Sequence, residues 1–85
     1  MKWIKVKEVN KFELNLLALS TDLSKCMFEF ELDGDIYLAG LITLSDLINQ
    51  IYDINGDEGA EELLKDVIFK VWMKEADLPK PDAEK

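Results

Sequence analysis

From Glu58 to Asp77 the chain reads EGAEELLKDVIFKVWMKEAD. Its apolar residues Ala60, Leu63, Leu64, Val67, Ile68, Val71 and Trp72 recur at steps of three and four, which at about 100° per residue makes one continuous stripe. This spacing predicts a long helix with Asp57 as its N-cap. Glu58, Glu61 and Glu62 fall in its first turns and Lys70 and Lys74 toward its end, the order the macrodipole favours. Such a stripe needs a surface to lie on, and the first half of the chain supplies a sheet.

Trp3 to Val9 alternates, with Ile4 and Val6 facing a core, and ends at the turn signal Asn10-Lys11. Phe12 to Ser20 reads as a second strand, with Phe12, Leu14, Leu16 and Ala18 on one face. A three-residue connection then sets Val6 opposite Leu14, Ile4 opposite Leu16 and Lys7 opposite Glu13. A helix competes for the same residues: Asn10 with Glu13 three places on resembles a capping box, and Phe12, Leu16, Leu19 and Leu23 share a helical face. Met27 to Leu32 and Ile36 to Leu44 flank Asp33-Gly34-Asp35 and predict a β-hairpin. An odd-length loop with a bulge puts Phe28 and Phe30 on the same face as Ile36 and Leu38, whereas a two-residue loop mixes the faces. Leu47, Ile48, Ile51 and Ile54 then give a short helix, capped by Thr43 or Ser45 and stopped by Asn55-Gly56. The expected fold is a single α+β domain over residues 1–78: a four-stranded antiparallel meander with two C-terminal helices packed on one face. A disordered tail is expected at 79–85, where Pro79 and Pro81 stand without apolar partners.

Composition narrows the chemistry. The 85 residues contain one cysteine, Cys26, and no histidine, and all ten basic residues are lysines. A Cys-His nucleophile, a Ser-His triad and a Cys/His metal site are therefore impossible, and there is no glycine-rich phosphate loop. Cys26 reads as a small buried residue at a strand end. Asp53, Asn55 and Asp57 match the first ligand positions of an EF-hand loop, but Glu58 replaces its glycine and Leu64 its bidentate glutamate. The expectation is a protein that is not an enzyme and takes no cofactor and no metal. No apolar run approaches the ~20 residues a bilayer span needs, and the lysine-interrupted N-terminus is no signal peptide, so a cytoplasmic location is expected.

Charge carries the functional argument. The net charge is −8, and it is uneven: residues 1–25 hold five lysines against three acids, residues 26–66 hold eleven acids against Lys65 alone, and the remainder balances. Such a field repels phosphate backbones and anionic lipid and attracts basic surfaces. The expected partner is a basic protein, such as a nucleic-acid-binding protein, with no direct nucleic-acid or membrane contact. Glu29, Glu31, Asp33 and Asp35 on the hairpin, with Asp57, Glu58, Glu61 and Glu62 at the helix start, are the candidate binding residues. Carboxylates on rigid elements can imitate a phosphate backbone, so an inhibitor or nucleic-acid mimic is the leading expectation. In size and charge the chain is similar to small phage-encoded inhibitors of host proteins, without a shared motif. The competing class is a homo-oligomeric assembly subunit whose acidity serves only solubility. For it the candidates are Trp3, Leu17 and Leu41 on the sheet face away from the helices, and Phe69 and Met73, which fall roughly 140° and 180° from Leu64 on the long helix. A homodimer is the expected form.

Overall fold

Asn10 and Glu13 decide the first element after the opening strand. The Glu13 amide donates to Asn10 Oδ1 at 2.8 Å, and the Asn10 amide donates to Glu13 Oε1 at 2.9 Å. This reciprocal capping box starts a helix over Lys11–Ser20. The second-strand expectation for Phe12–Ser20 is thus overturned and its helical rival realised. Leu14 is buried, while Phe12 is 69% exposed and Leu16 51%. A cap satisfies otherwise orphaned amides, which an alternating pattern on a polar-flanked segment does not offset.

The computed structural model describes residues 2–78, so the expected tail at 79–85 lies outside the described residues. In order the elements are β1 (Trp3–Val9), α1 (Lys11–Ser20), β2 (Met27–Leu32), β3 (Asp35–Gly40), α2 (Leu41–Leu64) and β4 (Phe69–Lys74), followed by a 3-10 turn at Glu75–Asp77. The class is α+β with a four-stranded antiparallel sheet, but the sheet is no meander. Its order is β1-β4-β2-β3. Because β4 is antiparallel to both β1 and β2, those two strands run parallel, and α1 crosses between them. In the same way α2 crosses between β3 and β4. The helices are therefore the crossovers of two split β-α-β units, not a C-terminal pair.

The long helix predicted over Glu58–Asp77 ends at Leu64, and its last third is the strand β4. Val67, Val71 and Trp72 fit a helical stripe, yet Phe69, Val71 and Met73 also alternate with Lys70, Trp72 and Lys74, and the segment is rich in β-branched and aromatic residues. The interior place in the sheet decides between the two periods. Upstream, α2 begins at Gly40 without a side-chain cap, ahead of the Thr43 or Ser45 start, and so shortens the expected strand Ile36–Leu44. It breaks at Gly56, as Asn55-Gly56 foretold, where φ is 75° and ψ 172°.

The β2–β3 hairpin is present, but Leu32 pairs with Asp35 across a two-residue Asp33-Gly34 turn. Both turn residues have positive φ, 54° and 89°, the mirror-image twist that tight hairpins prefer. The bulged loop is thereby overturned: Phe28 and Phe30 share a face with Ala39 and Tyr37, and Ile36 and Leu38 go to the other side, 70% and 63% exposed.

One apolar core joins the layers. Phe28, Phe69, Val71, Leu44 and Leu64 are essentially inaccessible, with Val9, Leu14, Phe30, Ile51, Ala60 and Val67 around them. Phe30 lies between Tyr37 and Phe69, with ring centroids 5.4 and 5.2 Å away. The other face of the sheet carries Trp3, Lys5 and Glu8 of β1, Lys70, Trp72 and Lys74 of β4, Met27, Glu29 and Glu31 of β2, and Ile36 and Leu38 of β3. Neither helix covers it. No helix among the described residues is long and apolar enough to cross a membrane.

Candidate functional site

The cleft at the hairpin end follows from a mismatch of strand lengths. β4 pairs with β2 only from Met27 to Glu29, so the outer half of the hairpin runs on past the point where the chain enters β4. Between that overhang and the Asp66–Ile68 connection lies an open cleft of about 440 Å³. Glu29, Glu31 and Asp33 line it from the hairpin and Asp66 from the connection, against Lys70 as the one lining cation among the described residues. Three of the four acidic hairpin candidates are thus brought together, and Asp66, which was not among the candidates, joins them. Its place on the polar side of the predicted Glu58–Asp77 helix concealed it; only the true helix end at Leu64 brings it beside the hairpin.

Asp35 opens β3 on the helix-facing side. Asp57, Glu58, Glu61 and Glu62 are exposed on the part of α2 that follows the Gly56 break. They lie in the helix layer, so they are not on the sheet face that bears Glu29 and Glu31. What unites the two groups is the end of the molecule: the last turns of α2 lead into β4 beside the hairpin tip. Glu61 borders a shallow depression with Lys11 and Lys65, and burial there lowers the Lys11 ammonium below its ordinary value.

Among the described residues the amino-terminal lysines form no ion pair with the candidate acids. Among the described residues the ion pairs are Lys5–Glu8 at 2.6 Å and Lys65–Glu62 at 2.8 Å, both between exposed side chains. The second raises the Lys65 ammonium, through the Glu62 hydrogen bond first and its charge second. Of the eight candidate carboxylates only Glu62 is in an ion pair among the described residues. Glu29 is held differently, accepting the Trp72 indole N–H at 3.1 Å.

The expected self-association surface is dispersed. Phe69 is fully buried at the centre of the core, and Met73 is half-buried against that core on the same face of β4, so the two do not form an exposed patch. They left the surface because β4 is a strand, which turns Phe69, Val71 and Met73 inward together. Leu17 and Leu41 are half-buried against the core from the helices. Trp3 alone stands on the open sheet face, 38% exposed, with the Lys74 ammonium 5.7 Å from its ring centroid.

Cys26 is a free thiol, buried as expected just before β2. Burial, and then the charges of Asp22 and Asp77, push its pKa above the ordinary value, which makes it a poor nucleophile. Among the described residues no three His, Cys, Asp or Glu side chains converge as metal ligands would. What remains is a cleft lined by four carboxylates on a small α+β domain, and in comparison with known proteins the chain matches no family model, no curated protein and no solved structure.

Proposed function

We propose that this chain is a small non-catalytic protein whose acidic end binds a basic surface of a partner protein, acting as an inhibitor or nucleic-acid mimic. The observation that carries the reading is the cleft where, among the described residues, Glu29, Glu31, Asp33 and Asp66 face Lys70 as the one cation, Glu29 and Glu31 standing on the paired strand β2. Glu29, held by the Trp72 indole, loses little side-chain freedom on binding, and the four carboxylates together offer a local negative field to a basic group. The exposed acids of α2 extend the same field toward the helix layer and raise the encounter rate with a basic partner. Open and shallow, the cleft suits a protruding basic side chain of a protein better than an enclosed small molecule.

The test is affinity capture at low and high salt with the wild type and with a Glu29→Gln, Glu31→Gln, Asp33→Asn, Asp35→Asn variant. A basic protein retained at low salt, released at high salt and lost with the amide variant supports the reading. An empty capture at low salt removes it.

A further inference from the structure

We infer that β3 is a strand-addition edge and that its occupant is a second copy of this chain, paired antiparallel across a two-fold axis at Tyr37. The two edges of the sheet differ in kind. β1 is defended: its register slips between Lys5 and Lys7, a bulge at Val6, and Lys7 stands opposite Val71 on the helix-facing side. Bulges and inward-pointing charges are the devices that stop an edge from accepting another strand. β3 has neither. It pairs with β2 without interruption from Asp35 to Gly40, and it carries no lysine and no proline.

The hydrogen-bonding alternation is set by the two-residue turn. Leu32 and Asp35 flank it as a bonded pair, so Asp35, Tyr37 and Ala39 turn their backbone groups to β2. Ile36 and Leu38 then direct theirs outward, and the same two side chains are 70% and 63% exposed. Pairing about Tyr37 places Ile36 opposite Leu38 of the second copy and Leu38 opposite its Ile36. Each pair exchanges backbone bonds and joins apolar side chains on one face, so the strand is complementary to itself.

Charge agrees with the antiparallel sense. It sends the two hairpin tips, with Asp33, to opposite ends of the dimer. It also sets Asp35 opposite the second copy's Ala39, next to the α2 N-terminus that starts at Gly40 with no side-chain cap and no acid in its first turn. Because β1 is closed to pairing, the assembly stops at two copies and does not grow into a fibre. Ile36 also lines the acidic cleft, so the dimer borders it; binding of a basic partner there is nonetheless a separate property, and either can fail without the other.

The test is the solution mass of the full chain at about 100 μM, well above a dissociation constant on the order of 10 μM. The expected mass is twice 9.8 kDa. Leu38→Pro removes the outward N–H while sparing the bonds to β2, and it should weaken the dimer about tenfold or more, with the circular dichroism spectrum showing that the fold persists. Tyr37→Cys should cross-link to a covalent dimer under mild oxidation, with buried Cys26 left out. Trp3→Ser, on the same face but at the far edge, should leave the mass unchanged. A monomeric mass at this concentration would overturn the inference. So would a dimer that survives Leu38→Pro without Tyr37→Cys cross-linking, or one lost with Trp3→Ser, which would mean packing face to face.

Discussion

The indole N–H of Trp72 donates to Glu29 Oε1 at 3.1 Å, tying the middle of β4 to β2 across 43 positions of sequence. The bond lies on the open face of the sheet and is partly buried, so the carboxylate that borders the acidic cleft is also part of what orders the sheet. Glu29→Gln keeps an acceptor and should leave stability within about 0.5 kcal/mol, whereas Glu29→Ala should cost about 1–2 kcal/mol in urea unfolding. The tryptophan emission of Glu29→Ala should also shift to the red. Equal stability of the two variants would mean that the bond contributes nothing.

Gly56 sits where a Cβ would meet nothing within 4 Å, yet its φ of 75° with ψ of 172° belongs to a region that only glycine populates freely. Gly56→Ala should therefore cost about 1–3 kcal/mol from backbone strain alone. The expected readout is a lower urea midpoint with an unchanged slope. A neutral or stabilising result would show that α2 can straighten through this position.

Asn10→Ala removes the acceptor for the Glu13 amide and should cost about 1 kcal/mol. Glu13→Ala removes the reciprocal half, and the double variant should cost less than the sum of the two, since each half holds the other in place. A double-mutant cycle in chemical denaturation measures that difference.

Cys26 sets an alkaline limit. Its folded pKa is raised, by burial first, so the neutral thiol is favoured in the folded state. The contribution is fully present below the unfolded value near 9 and is lost as pH rises from there through the folded value. Stability should fall in that window, and Cys26→Ala should flatten the fall. A thiol reagent at neutral pH should label Cys26 at the rate of unfolding; fast labelling of the native protein would contradict the burial.

What the sequence disclosed and what it hid can be traced to the range of each interaction. The hairpin, the break at Asn55-Gly56 and the buried Cys26 are local and were readable. The capping box at Asn10 and Glu13 was also readable, but alternation over Phe12–Ser20 competed with it. Phe69–Lys74 was not, because Val67, Val71 and Trp72 satisfy a helical period while Phe69, Val71 and Met73 satisfy a strand period. Only the position of β4 between β1 and β2, a matter of distant pairing, separates them. The acidic surplus was plain in composition. Its cleft was not, since that depends on where β4 begins relative to the overhanging hairpin.

The sheet order has a consequence for how the protein comes into being. β4 is the last of the described strands in chain order, yet it stands between the first two, β1 and β2, with Trp3 opposite Lys74. Until it emerges β1 has no neighbour, and the aromatic centre around Phe30 lacks Phe69. The nascent chain therefore stays open until β4 emerges, so that a fragment stopped before β4 should be degraded instead of accumulating.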